Sequence, residues 1–205
     1  SNITINEDGM IYSKSGDFID RVKVVRFDNE RYLKKMGNSL WTSNDISGDA
    51  YIAEGNERPK MMQGYMETSN VNVVNEMVKM IEVNRAYEAN QKTIQSEDSM
   101  MSTLWNKVRS LWTAATGMNG QQSNLDAISN NLSNVNTTGF KQQRVEFEDL
   151  LYQNIKLAGT PATEDTVTPV GIQQGSGVKI AATQRIFSQG SLQNTGVNTD
   201  LAVVG

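Results

Sequence analysis

The chain has 205 residues, 38% of them hydrophobic, a net charge of −4 at neutral pH, and neither cysteine nor histidine. Those two absences exclude disulfides, zinc–thiolate centres, cysteine nucleophiles, and the commonest general base and metal ligand. The acidic balance leaves no electrostatic footprint for nucleic acid or an anionic membrane, and no apolar run approaches the roughly 20 residues that span a bilayer.

The opening SNITINEDG lacks the basic and apolar regions of a signal peptide, and both ends read as cut. Residues 1 to 55 read as β. Ile3, Ile5, Met10 and Tyr12 flank Asn6-Glu7-Asp8-Gly9, and Asp-Gly between alternating runs signals a hairpin. Val22 to Phe27 reads as a strand. Asp28-Asn29 then caps a helical turn with Tyr32, Leu33 and Met36 on its apolar side and Gly37 as its stop. Residues 42 to 60, with Gly48, Gly55 and Pro59, read as loop.

A long helix follows, with Ser69 or Asn70 as its cap. Val73, Met77, Met80, Asn84, Tyr87, Gln91, Ile94, Asp98, Met101, Trp105 and Val108 fall at alternating steps of four and three, a heptad-like seam. Asn84, Gln91 and Asp98 form a polar line in it that weakens packing but fixes register. A second helical pattern covers about 110 to 134, through Leu111, Ala114, Met118, Gln121, Leu125, Ile128, Leu132 and Val135. Gly117 and Gly120 permit close helix approach. This pattern ends in NNLSNVNTTGFK, where asparagines bond the last carbonyls and Gly139 supplies positive φ. Residues 140 to 151 form a short amphipathic piece and 152 to 169 an extended linker. Val178 to Ala182, Arg185 to Ser188 and Leu201 to Val204 read as strands.

Three stretches resemble chemical motifs without completing them. GIQQGSGVK (Gly171 to Lys179) lacks the Gly-Lys-Ser/Thr ending of a phosphate loop. INEDG lacks the spacing and terminal glutamate of a calcium loop. Glu146, Glu148 and Asp149 supply carboxylates of the kind a glycosidase pairs, but no separation is fixed by sequence, and a solvated face is the plainer reading. Met77, Met80, Met100, Met101 and Met118, with Trp105 and Trp112 seven residues apart, suit seams that are completed by pairing. That favours an assembly protein over a catalyst.

Ser110 to Lys141, SLWTAATGMNGQQSNLDAISNNLSNVNTTGFK, resembles the N-terminal region of the flagellar basal-body rod proteins of the axial family, which includes rod, hook and hook-junction subunits. Gln63 to Met100, with its SNVN, EM and RAYEAN elements, is similar to the same family's C-terminal motif. Residues 109–205 resemble the start of a distal-rod member and residues 1–108 the end of a rod member. Tyr152 to Pro169 is similar to the stretch that separates distal rod from hook, and the resemblance implies that it stiffens the assembly. The family order is reversed here, and the outer domain that the resemblance implies between the halves is missing. A designed fusion or permutation, or pieces of two subunits in one chain, would give this order. The helices then meet near 107–110, as a hairpin or as one continuous helix that swaps domains between chains.

The expected fold is α+β: a two-helix, coiled-coil-like stalk over 63–139 and a small mainly β domain built from 1–62 and 140–205. The resemblance implies a non-enzymatic structural subunit of the periplasmic rod, exported without a cleaved signal peptide. It implies no cofactor, metal, nucleic acid or small-molecule substrate. Its partners would be other copies of itself, rod and hook subunits and the export apparatus. The residues expected at the stalk–domain junction are Asn130, Asn131, Asn134, Asn136, Gly139 and Phe140, with Asn70, Asn72, Glu76, Arg85, Tyr87 and Asn90 on the other helix. The expected seam residues are Val73, Met77, Met80, Ile94, Met101, Trp105, Leu111, Met118, Leu125, Ile128 and Leu132. Alternative readings are a glycan hydrolase acting on cell wall through Glu146, Glu148 and Asp149, and a helical module that binds an export chaperone.

Overall fold

A computed structural model describes residues 3–37, 40–53, 55, 58–99, 104–156, 161–163, 166–167 and 170–204. In chain order the first strands are β1 (Thr4–Ile5), β2 (Met10–Tyr12), β3 (Phe18–Arg21), β4 (Val25–Arg26), β5 (Lys34–Gly37), β6 (Leu40–Thr42), β7 (Tyr51–Ile52), β8 (Lys60–Gln63) and β9 (Tyr65–Glu67). Two helices follow, α1 (Val73–Ser99) and α2 (Leu104–Ser133). Then come β10 (Gln143–Asp149), β11 (Tyr152–Lys156), β12 (Pro161–Thr163), β13 (Thr166–Val167), β14 (Ile172–Gly175), β15 (Val178–Arg185), β16 (Leu192–Asn194) and β17 (Leu201–Val204). The fold is α+β, two long packed helices with small antiparallel sheets drawn from both ends of the chain.

The chain divides into two units. One comprises Ser1–Val73, Asn131–Gln142 and Arg185–Gly205, the other Val74–Asn130 and Gln143–Gln184. These units cut across the three sequence segments 1–62, 63–139 and 140–205.

The first unit is built on ladders that join distant segments. β8 pairs with β17, Met61 opposite Val203 and Met62 opposite Ala202, and β9 pairs with β16, Met66 opposite Gln193. Ala53, Met61, Val71, Phe140 and Ala202 are its buried apolar side chains. The Asp-Gly hairpin forms as its sequence signal requires: Ile5 lies opposite Ile11, and the Asn6 side chain accepts from the N–H groups of Asp8 (3.1 Å) and Met10 (2.8 Å). The expected helical turn after Asp28-Asn29 is shorter than the pattern suggested. Only Glu30–Tyr32 is helical, and Met36 lies on β5 at 71% exposure. Asn29 makes no cap bond; its amide donates to the Ile46 carbonyl instead (3.3 Å), so the chain extends at Leu33 and pairs with β6.

In the second unit α1 and α2 pack against each other, which makes them a pair rather than one continuous rod. A Cβ on Gly117 would lie 3.3 Å from the Asn90 amide nitrogen, so the missing side chain lets the helices approach there. α2 runs unbroken through 107–110, because no proline or glycine lies between 104 and 116; residues 100–103 lie outside the described residues. Along α1 Glu76, Met80, Val83, Tyr87, Asn90 and Ile94 are covered at steps of four and three, with Ala86 beside Tyr87. Met77, Asn84 and Gln91 are exposed, one residue off that face, and Val73 is exposed at the start of the helix. On α2, Leu111, Met118, Leu125 and Leu132 are half-buried and Ile128 is buried. Met101 and the side chains of Asp98 and Trp105 lie outside the described residues.

The extended linker expected over 152–169 is instead a pair of strand ladders. Tyr152 lies opposite Gly175 and Asn154 opposite Gln173, with β12 and β13 pairing beyond them. Threonine, tyrosine and isoleucine suit strands, and Pro161 and Gly175 sit at the ends of their strands. The amphipathic piece after Phe140 is β10, whose Val145 is buried while Glu146 and Glu148 share the opposite face.

Candidate junction site

The chain enters α1 and leaves α2 within the first unit, and the two segments meet there. In NNLSNVNTTGFK the NNLS residues close α2, and a run of tight turns follows from Asn134. Asn134 N–H donates to the Asn131 carbonyl (3.1 Å), Thr137 N–H to that of Asn134 (3.1 Å), and Phe140 N–H to that of Thr137 (3.2 Å). Thr137 Oγ1 donates to Asn134 Oδ1 at 3.2 Å, a side-chain bond that competes with continuing the helix. Gly139 has φ +64, the left-handed conformation that turns the chain. Its N–H donates to the Glu67 carbonyl (2.9 Å), and Asn70 N–H donates to the Phe140 carbonyl (3.3 Å). Phe140 is buried and anchors the turn, and Asn131 is fully buried.

Asn70 is the centre of the arrangement. Its Oδ1 accepts from Gln142 N–H (2.7 Å), while its Nδ2 donates to the carbonyls of Ile186 (2.8 Å) and Ser188 (3.0 Å). One amide thus ties the approach to α1, the exit from α2 and the return strand. The geometry consumes both ends of the amide, which only asparagine or glutamine carries, and glutamine is longer by one methylene.

Glu67 makes a second tie. Its Oε1 accepts from Lys141 Nζ (2.6 Å) and from Gly190 N–H (2.7 Å), and Lys141 Nζ also donates to the Ser188 carbonyl (3.1 Å). Both charged side chains are mostly covered, so water screens this pair less than a surface ion pair. Thr68 bonds the Ser191 carbonyl through both its N–H and its hydroxyl, each at 2.9 Å. A Cβ on Gly190 would lie 2.1 Å from the Thr68 carbonyl oxygen, so no other residue fits that crossing.

Among the residues expected at the junction, Asn70, Gly139 and Phe140 are joined by the bonds above. Asn130, Asn136 and Asn72 are exposed. Glu76 is buried on α1 and paired with Lys79 (2.7 Å); Arg85 is exposed, Tyr87 half-buried, and Asn90 faces Gly117. Sequence reasoning passed over Glu67, Lys141, Gln142, Ser188 and Gly190. The local signals were slight: a lysine directly after Gly-Phe, and a lone glycine in SQGS. The carboxylates considered for hydrolysis are held by neighbouring cations on a strand surface, Glu146 by Arg144 (2.6 Å) and Glu148 by Lys179 (3.4 Å).

Comparison with known proteins places these segments. The family profile described as "Flagellar basal body rod FlgEFG protein C-terminal" matches residues 62–106, the approach and α1; that described as "Flagella basal body rod protein" matches 111–141, α2 and the turns after it. The flagellar basal-body rod protein FlgG of Borreliella burgdorferi is 64% identical over 98 residues, 48% of this chain and 37% of that protein. FlgG of Caulobacter vibrioides is 48% identical over 99 residues, 48% of this chain and 38% of that protein. The flagellar hook protein FlgE of Helicobacter pylori is 47% identical over 98 residues, 14% of its own length. The chain therefore covers well under half the length of the rod relatives it matches. The helices that meet at the Asn70 and Glu67 ties are the two segments these profiles describe, and over both the chain is similar to the flagellar basal-body rod family, with the C-terminal segment ahead of the N-terminal rod motif.

Proposed function

We propose that this chain is a non-enzymatic structural subunit of the flagellar rod of the distal type, self-assembling side by side with other copies and with rod and hook subunits into a tube that transmits torque. The observation that carries the reading is the outward face of α1. Val73, Val74, Met77, Val78 and Ile81 are 39%, 68%, 52%, 49% and 53% exposed, a continuous apolar stripe on a helix of the rod family. A stripe of that kind is covered in an assembly. A contact between unlike faces that does not close on itself builds a helical filament. The ribbon over Tyr152–Pro169 supports a bracing role: Leu151, Tyr152, Ile155 and Ile172 are all more than half exposed. The reversed order of the two family segments supports a fused or permuted chain, its join falling inside α2 where the helix continues undisturbed. Location in the periplasmic rod, and passage through the flagellar export apparatus without a cleaved signal peptide, belong to the same reading.

The test is assembly of the full chain, followed by sedimentation and negative-stain electron microscopy as concentration rises. Concentration-dependent tubes or filaments, weakened in the Met77→Glu/Ile81→Glu double variant with helicity unchanged, are expected. A chain that stays monomeric throughout, or a double variant that assembles as readily as the parent, overturns the reading.

A further inference from the structure

The first unit holds a group of side chains that the junction does not use. Lys35 and Trp41 are cross-strand partners on β5 and β6. The Lys35 ammonium lies 6.0 Å from the centre of the Trp41 ring and 5.3 Å from that of Phe140. The Arg185 guanidinium lies 5.1 Å from the same indole, and Phe187 packs against Trp41 with centroids 5.4 Å apart. Two cations therefore share one aromatic ring.

Neither cation has a carboxylate within salt-bridge distance among the described residues, although Lys60, Lys79, Lys141, Arg144 and Lys179 each have one. Arg185 Nη1 is buried without a hydrogen-bond acceptor. Burial holds the Lys35 ammonium below the usual lysine pKa, and the nearby Arg185 charge lowers it further. Cation–π contact attracts each cation to the indole but leaves their net charge in place, so the pair still repels. A carboxylate is the group that answers this arrangement, because one anion accepts from both donors and cancels the repulsion.

We propose that Lys35, Trp41 and Arg185 form a docking site for a carboxylate carried on an acidic segment of a protein partner. The same hairpin also exposes apolar side chains to a partner segment: Tyr32, Met36 and Leu40, on or beside it, are 55%, 71% and 63% exposed, Leu40 on the face opposite Trp41. Complementary charge steers a protein contact and fixes its register, and exposed apolar side chains beside it add buried area. The inference stands without the rod reading.

The test follows the indole N–H signals of the full chain, isotope-labelled at tryptophan, during titration at low salt with a hexaglutamate peptide, a hexaglutamine peptide and sodium glutarate. The Trp41 signal is expected to shift saturably with hexaglutamate and not with hexaglutamine, while the Trp112 signal stays still. Arg185→Gln and Lys35→Met are each expected to raise the midpoint by about tenfold, and added potassium chloride to raise it in the parent chain. Glutarate saturating Trp41 as tightly as the peptide supports carboxylate recognition and assigns it to a small free acid. Absence of a saturable Trp41 shift with either acid, or a midpoint indifferent to salt, overturns the proposal. Should a neutral variant lose its circular dichroism, Lys35→Arg keeps the charge and is expected to keep binding; folded Lys35→Arg that no longer binds also overturns it.

Discussion

The side-chain oxygen of Asn70 accepts the backbone N–H of Gln142 at 2.7 Å, across 72 residues of sequence that contain both helices. A single amide so placed fixes where the chain enters one helix relative to where it leaves the other. Asn70→Leu removes that bond and the two bonds to the Ile186 and Ser188 carbonyls, leaving partly covered backbone groups without their partner. A loss of about 2–4 kcal/mol is expected, read as a lowered midpoint in urea unfolding. Asn70→Asp keeps the acceptor for Gln142 but places a charged oxygen against two carbonyls, and is expected to lose nearly as much.

Two glycines of the junction separate two physical causes. Gly139 has positive φ but open space around its missing Cβ, so Gly139→Ala meets only the left-handed backbone penalty, about 1–2 kcal/mol. Gly139→Asn is expected to be milder still, because asparagine tolerates that conformation. Gly190→Ala places a methyl group against the Thr68 carbonyl, and the β9–β16 ladder beside it must open. Hydrogen exchange of the Thr68 and Leu192 amides is the measurement: protection is expected to survive in Gly139→Ala and to collapse in Gly190→Ala.

Glu67 serves two donors with one oxygen. Glu67→Ala is expected to cost more than Lys141→Met, since it also strands the Gly190 N–H. Glu67→Gln is expected to fall between Glu67→Ala and the parent, because an amide oxygen can still accept from Gly190. A double-mutant cycle of Glu67→Ala with Lys141→Met is expected to give a coupling of about 1–3 kcal/mol. Thermal unfolding of the four chains checks the order.

Lys35 gives a pH dependence opposite in sign to that of a salt-bridged lysine. Its folded pKa lies below the unfolded value of 10.5, first through burial and then through Arg185. Below the folded pKa the ammonium is present in both states and the fold bears the full penalty. Between the folded pKa and 10.5 the unfolded chain binds more protons, so stability rises with pH. The stability advantage of Lys35→Met over the parent is therefore expected to shrink as pH climbs through that window, measured by urea unfolding. Arg185→Gln is expected to raise the Lys35 pKa only part of the way, because burial is the larger cause.

How far the sequence carried differs by element. The hairpin at Asn6–Gly9 was legible because its turn chemistry is local, and both helices were legible because their apolar period extends over many turns. The inward face of α1 was read one residue off at Met77, Asn84 and Gln91, although Met80, Tyr87 and Ile94 of the same seam are covered. A heptad reading selects the apolar Met77, whereas the covered residue is Glu76, whose ion pair with Lys79 lies within the same helix. The ribbon of β11 and β14 read as linker, since its side chains are exposed on both faces and show no alternation of burial. Glu67 and Lys141, 74 residues apart, carry no local mark of their meeting; the tie exists only once the chain has folded.

The ladders of the first unit join strands on either side of both helices, and Thr195 meets Gly64 across 131 residues. Closing so large a loop costs entropy before the ladders return any energy, whereas each helix needs only near neighbours. Pairing of the end strands is therefore expected to be the slow step of folding, after the helices form. The same geometry makes the chain separable. Cut between 100 and 103, the two pieces retain β8 and β9 on one and β16 and β17 on the other, each lacking the partner strand that only the other piece supplies, so mixing them is expected to restore the ladders by fragment complementation.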